Sequence, residues 1–151
     1  MQITTYRKVD ETQTQRVLEL ETALKSLQTE TKAKPVTALR NNLIYNLGGK
    51  RSDYADKLPV LVFGGVFKKK GSEQELVTYN GLITLEITRL TGTKEAVQWR
   101  DVASTLPQTL LAFIGSSGRS VKIIVPFALP DGSLPGDYEQ IKMFHAQAYR
   151  E

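Results

Sequence analysis

The first fifty residues carry apolar positions at helical spacing. Intervals of three and four residues predict a helix from about Glu11 to Gln28, and a second run of the same kind ends at Gly48-Gly49, where a helix C-cap is expected. The apolar positions of the two runs are Val17, Leu20, Leu24 and Leu27, and then Val36, Leu39, Leu43 and Leu47. A short strand from Met1 to Tyr6 is predicted in front of them. The segment from about 10 to 48 is therefore predicted to be an N-terminal helical pair.

From Leu58 onward the pattern changes to that of strands, because β-branched and aromatic residues dominate the apolar runs. A turn is predicted at Lys68–Ser72 after the first of them. The predicted strands are 58–67, 82–88, 109–114 and 121–127, and the predicted helices are 94–103 and 137–150. The last five elements have the order βαββα, which is most of a ferredoxin-like or RRM-like unit. The predicted fold class is α+β, with an RRM-like antiparallel sheet over about 58–151 behind the helical pair.

Length and composition narrow the class of protein. A chain of 151 residues is expected to form a single domain, 1–151, and its helical end without a cap suggests the N-terminal part of a longer protein. The absence of cysteine excludes disulfides and thiolate chemistry, and a single histidine excludes a His-rich metal site. Neither a membrane-spanning run nor a signal core is present, so a cytoplasmic protein without membrane contact is expected.

Positive charge is concentrated in the first half of the chain. From Lys32 to Lys70 there are nine basic residues and only two acidic ones, an excess of seven positive charges. Such a stretch is a recognised footprint for phosphate backbones, although a merely solvated surface is an equally good interpretation. The residues predicted to bind nucleic acid are Arg40, Lys50, Arg51, Lys68, Lys69 and Lys70.

A glycine-rich turn offers a second candidate site for phosphate. Small residues let backbone N–H groups approach an anion, and nearby cations add charge, although the same sequence is also typical of an ordinary hairpin turn. The candidate phosphate-binding residues are Ser116, Ser117, Gly118, Arg119, Ser120 and Lys122.

Three further sets of side chains could carry chemistry. Glu86, on the strand 82–88, is a candidate ligand for a divalent cation, but one carboxylate alone makes a poor magnesium site. His145 lies in the last predicted helix, where a lone histidine is more often a structural hydrogen-bonding group than a catalyst. The aromatic residues considered for base stacking are Phe67, Tyr79 and Trp99, although core packing explains each of them better.

Four blocks of sequence resemble, in their order and spacing, the VirE N-terminal domain family. These blocks are Lys57–Phe67, Tyr79–Ile87, Ser116–Val125 and His145–Tyr149. The resemblance implies a place at the front of primase-helicase-like proteins of mobile elements, often from Bacteroidetes. It also implies a distant likeness to the RRM-like core of archaeo-eukaryotic primases. In that likeness Glu86 matches a catalytic metal ligand, for Mg²⁺ or Mn²⁺, and Lys122 matches a second catalytic position.

The resemblance implies a function as well. The expected function is a nucleic-acid-binding, primase-like domain in DNA replication, with single-stranded DNA as the expected partner. Thr88 stands where the resemblance requires a second acid, and no third acidic motif follows, so the chain is expected to be catalytically degenerate or incomplete. No cofactor is therefore firmly expected, and Mg²⁺ or Mn²⁺ at Glu86 are the candidates. Two alternatives stay open: an active metal-dependent nucleotidyltransferase, and a protein-interaction module that recruits a helicase.

Overall fold

The structure is a computed structural model and describes residues 1–8, 15–28, 30–48, 50, 52–70 and 72–150. The strands are β1 Gln2–Tyr6, β2 Arg16–Glu19, β3 Val60–Val62, β4 Gly65–Lys70, β5 Glu73–Tyr79, β6 Leu82–Ile87, β7 Leu111–Ile114 and β8 Val121–Pro126. The helices are α1 Leu20–Gln28, α2 Glu30–Tyr45, α3 Ser52–Ala55, α4 Thr93–Thr105 and α5 Tyr138–Ala148.

The strands of the described residues form small antiparallel sheets. One has the order β2-β1-β3, a hairpin joins β4 and β5, and the third sheet has the order β6-β8-β7. Helices and antiparallel strands are therefore combined as the sequence predicted, and the fold class is α+β.

The central strand of the third sheet packs on both of its faces. Ile124 is completely buried in a cluster that also contains Ile3, from β1, and Phe63. Val121 and the half-buried Ile123 belong to a second cluster, which includes α4. Since successive side chains of a strand point to opposite faces, β8 contributes alternately to the two clusters.

The first predicted helix is wrong over its N-terminal part. Residues Arg16–Glu19 are strand β2, which pairs with β1 from Gln2↔Glu19 to Thr5↔Arg16. The helix begins only at Leu20, and Val17 is 43% exposed. The apolar spacing was misleading here, because backbone pairing with β1 outweighs local helical periodicity. The remainder of that predicted helix, residues 11–14, lies outside the described residues.

The region around the lysine run also differs from the prediction. The predicted strand 58–67 is divided into β3 and β4, and Lys68–Lys70 continue β4 instead of forming a turn. The reason is β5, which the sequence analysis missed and which pairs with them at Lys68↔Glu75 and Lys69↔Gln74. The oppositely charged Glu75 and the polar Gln74 lie across the hairpin from the lysines, which makes a strand of consecutive lysines tolerable.

The remaining elements follow the sequence pattern closely. Strands β1, β6, β7 and β8 and helices α4 and α5 lie within a few residues of their predicted positions. The Asp137 side chain caps α5 by accepting a hydrogen bond from the backbone N–H of Gln140, at 3.2 Å. None of the helices in the described ranges is long and apolar enough to cross a membrane.

Candidate nucleic-acid interface

The turn between β7 and β8 is closed by its own hydrogen bonds. Gly115 donates to the carbonyl of Ser120 and Gly118 to that of Gly115, both at 2.9 Å, while the Arg119 amide donates to the Ser117 hydroxyl at 3.2 Å. Gly118 adopts the left-handed conformation with φ +72°, which glycine accepts without strain. Three of the amides that could cradle a phosphate are thus donating within the turn. The prediction that this turn binds phosphate then rests chiefly on its cationic side chains.

Arg40 reaches this turn from α2. Its Nε donates to the carbonyl of Ser116 at 3.2 Å, and its Nη2 donates to that of Gly115 at 3.3 Å. A Cβ added to Gly118 would lie 3.3 Å from the Arg40 Nε, so the guanidinium packs directly over that glycine. Burial lowers the pKa of Arg40, but a guanidinium stays protonated at neutral pH.

Arg119, on the turn, reaches back to α2. Its Nη2 donates to the carbonyl of Leu43 at 3.4 Å, and Leu43 lies in the last turn of α2, where helix carbonyls lack intrahelical partners. We call Arg40, Arg119 and the carbonyls that they bind the arginine contact. It brings two positive charges from distant parts of the chain to one turn, which raises the local positive potential.

Glu86 and Lys122, the two candidate catalytic residues, are an ion pair. They are register partners in β6 and β8, and the Lys122 Nζ lies 3.2 Å from the Glu86 Oε2, with both side chains 37% exposed. A metal ion bound to Glu86 would therefore have to share the carboxylate with the Lys122 ammonium group. Within the described part of the chain, no three His, Cys, Asp or Glu side chains are grouped closely enough to hold a metal ion. The catalytic and metal-binding roles of Glu86 and Lys122 stay predictions.

The other predicted nucleic-acid-binding residues are distributed over different elements. Lys68 and Lys69 are exposed on β4, and Lys50 is exposed after α2. Arg51 and the side chain of Lys70 lie outside the described part of the chain. The structure therefore joins Arg40 to the predicted phosphate turn, whereas Lys68 and Lys69 belong to another sheet.

The serines of the turn differ in exposure. Ser116 is exposed, Ser117 is half-buried, and Ser120 is buried, with 7% of its surface accessible. A Cβ added to Gly115 would lie against the Ser120 hydroxyl, so this serine packs inside the turn. Ser116 and Ser117 are the hydroxyl groups of this turn that solvent can reach.

The exposed end of α2 was not predicted from the sequence. Ile44, Tyr45 and Leu47 are 60%, 67% and 66% exposed, although the helical spacing had placed Leu47 on an apolar face. The helix ends at Tyr45 because Asn46 adopts a left-handed conformation with φ +48°, which interrupts the periodicity. Asn46, two residues before Gly48, was the available signal for this end.

Of the aromatic residues considered for stacking, Tyr79 lies in an aromatic cluster. Its hydroxyl is 2.9 Å from the Nδ1 of His145, and its ring packs edge-on against Phe144. His145 also packs against Tyr149. Phe67 is half-buried and Trp99 is 44% exposed. The contacts of Tyr79 and His145 fit the structural interpretation of both residues.

The His145 environment predicts a pH dependence of stability. Burial lowers the pKa of His145 below its ordinary value of 6.5, so the folded state favours the neutral imidazole. The stability that the neutral His145 side chain contributes is fully present above pH 6.5. It is lost as the pH falls below that value, because the unfolded state then binds the proton more readily than the folded state does. Thermal unfolding between pH 8 and 5 should show a larger decrease in Tm for the wild type than for His145→Gln. Equal decreases would contradict this role.

Comparison with known proteins gives one family. The family model described as "BT4734-like, N-terminal domain" matches residues 53–151, a range that includes the turn and Arg119 but not Arg40. No curated protein and no solved structure matches the chain. The predicted membership of the VirE N-terminal domain family is therefore wrong, and the likeness to primases that depended on it loses its support.

Proposed function

The chain belongs to the BT4734-like N-terminal domain family, and we propose that it binds nucleic acid through the surface around the arginine contact. The observation that carries this proposal is the meeting of Arg40 and Arg119 at one turn. Arg40 comes from the basic stretch of the sequence and Arg119 from the glycine-rich turn, so two independently identified segments share one surface.

The chemistry of guanidinium groups supports the proposal. Each guanidinium has five N–H donors, and the hydrogen bonds described here use two from Arg40 and one from Arg119. Donors beyond these can bind phosphate oxygens without breaking the contact that positions the side chain. An arginine held in place also loses less entropy when it binds phosphate than a freely rotating one.

The proposal includes the finer architecture expected from the sequence. Helices α1 and α2 are proposed to act as an N-terminal helical pair, and β6, α4, β7, β8 and α5 to follow the RRM-like plan. In that plan the first strand of a βαββ unit pairs with the third, as β6 does with β8, which supports the assignment. Such a sheet is a common platform for single-stranded nucleic acid.

A titration across a salt series tests the proposed function. Fluorescence anisotropy should show a labelled oligonucleotide binding to the full chain, with an affinity that falls steeply as salt rises. Arg119→Gln should weaken binding about tenfold, the effect of losing one charge-assisted contact of about 1.4 kcal/mol, and should reduce the salt slope by about 0.7 to 1.

The matched control removes a positive charge elsewhere. Lys142, on α5, is exposed and paired only loosely with Glu139 at 3.6 Å. Lys142→Gln lowers the net charge by the same amount, so it should change affinity less than twofold if binding is local rather than a response to total charge. The proposal fails if no oligonucleotide binds at low salt, or if the two variants behave alike.

A protein-interaction module is the second candidate function, favoured by an apolar stripe on α4. Trp99, Val102 and Leu106 are 44%, 54% and 50% exposed and recur at helical spacing from the exposed side of α4 into its C-cap. Sedimentation velocity tests the simplest partner, a second copy of this chain. Association that increases with concentration and is abolished by Val102→Glu would support this candidate, whereas a monomer at every concentration excludes a second copy as the partner.

A further inference from the structure

The end of α2 presents exposed apolar side chains. Ile44, Tyr45 and Leu47, which we call the α2 tip, are each at least 60% exposed. The turn that follows the helix is tied to it by a hydrogen bond, which the buried Asn42 side chain donates to the carbonyl of Gly48 at 2.6 Å. Contiguous exposed apolar side chains on an ordered turn are typical of an interaction surface.

The α2 tip follows the α2 residues of the arginine contact directly along the chain. Tyr45 is two residues from Leu43, whose carbonyl binds Arg119, and Arg40 lies about one helical turn before Leu43. Lys50, which is also exposed, follows the tip along the chain. An accessible aromatic ring thus lies within a few residues of cations along the chain, a combination that complements a polyanion carrying exposed aromatic bases.

We infer that Tyr45 is a base-stacking residue and that the nucleic acid bound at the arginine contact is single-stranded. This inference rests on the proposed function and specifies the substrate class of the same site. The bases of a duplex are stacked on one another and cannot lie against a surface tyrosine, whereas those of a single strand can. Arg40 and Arg119 bind the phosphates, and Ile44 and Leu47 add exposed apolar surface at the α2 tip.

The charges favour this occupant over an apolar protein surface. A protein partner that buried the α2 tip would also have to cover the neighbouring arginines, which costs desolvation unless acidic groups compensate them. A single strand supplies the compensating phosphates at every nucleotide, adjacent to the bases that stack.

The experiment compares single-stranded and duplex oligonucleotides of the same sequence with the full chain, by anisotropy at constant salt. Tyr45→Ala should weaken single-strand binding about tenfold, in the range expected for losing one stacked base. Tyr45→Phe keeps the ring and should bind within about twofold of the wild type. Duplex binding should be weaker in the wild type and unchanged in Tyr45→Ala, and the salt slope should be the same in all variants because no charge is removed.

Tyr138→Ala is the matched control, because Tyr138 is another exposed tyrosine, 61% accessible, at the start of α5. It should bind the single strand as the wild type does. Thermal melts confirm that each variant folds, and the exposure of Tyr45 predicts little change in Tm.

The outcomes separate this inference from the proposed function. If the wild type binds oligonucleotides but Tyr45→Ala binds the single strand equally well, the inference is overturned and the proposed function stands. If the wild type binds neither oligonucleotide, the proposed function itself fails. Self-association that Tyr45→Ala abolishes, without any oligonucleotide binding, would assign the α2 tip to a protein contact instead.

Discussion

Replacing Ile124 by alanine is expected to lower the free energy of unfolding by about 3 to 4 kcal/mol. Ile124 has no accessible surface and lies on β8, the central strand of the sheet β6-β8-β7. It packs in the cluster that joins this sheet to Ile3 of β1 and to Phe63. Alanine would remove three carbon atoms from that cluster and leave a cavity that the surrounding strands can fill only in part. Urea denaturation, followed by circular dichroism, measures the change.

Val77→Ala is the control for this prediction, since Val77 is also on a strand, β5, but is 58% exposed. Its removal should cost less than about 1 kcal/mol, because it leaves no buried cavity. A loss below 1 kcal/mol for Ile124→Ala would show that the cluster does not join the two sheets as described.

The elements that the sequence predicted well depend on local signals. Helix α5 has a capping aspartate, and the turn between β7 and β8 has a glycine with φ +72°. The strands on either side of that turn are strongly apolar: β7 is a continuous apolar run, and β8 is interrupted only by Lys122. In each case the information lies within about ten residues of sequence, so the conformation can be derived without knowing the tertiary contacts.

The two missed strands are defined by their pairing partners, β1 and β4, and not by their own apolar pattern. Strand β2 forms because residues Arg16–Glu19 pair with β1, and its own apolar spacing points to a helix. Strand β5 is rich in polar residues and alternates only weakly, so its identity comes from its pairing with β4. Stabilisation by a pairing partner leaves little trace in the apolar pattern of the strand itself.

The candidate site was predicted in parts but not as a whole. The sequence pointed separately to Arg40 and Arg119, yet their meeting joins a helix to a turn about 75 residues away along the chain. The pairing of Glu86 with Lys122 likewise depends on the register of β6 and β8. Tyr45 was missed because the helical spacing of its neighbours continues across Asn46, where the helix has already ended.

Replacing Gly81 by alanine is expected to cost about 2 to 4 kcal/mol of stability, since it combines two separate penalties. Gly81 has φ +63°, a conformation that side chains with a Cβ rarely adopt. An added Cβ would also lie 2.7 Å from the carbonyl oxygen of Phe127 and 2.5 Å from the Leu134 Cδ2. Leu134 can move aside, but the Phe127 carbonyl belongs to the backbone, whose amide is fixed by its 2.7 Å hydrogen bond to the Gly81 carbonyl.

Gly136→Ala makes the same chemical change where neither penalty applies. Gly136 does not have a positive φ, and nothing lies within 4 Å of an added Cβ. This substitution should leave stability unchanged or raise it by about 0.5 kcal/mol, because alanine reduces the entropy of the unfolded chain. Urea midpoints of the two variants therefore separate the effect of the turn from that of losing a glycine. Equal midpoints would mean that the backbone at Gly81 relaxes into a conformation open to any residue, and that the connection from β5 to β6 does not require glycine.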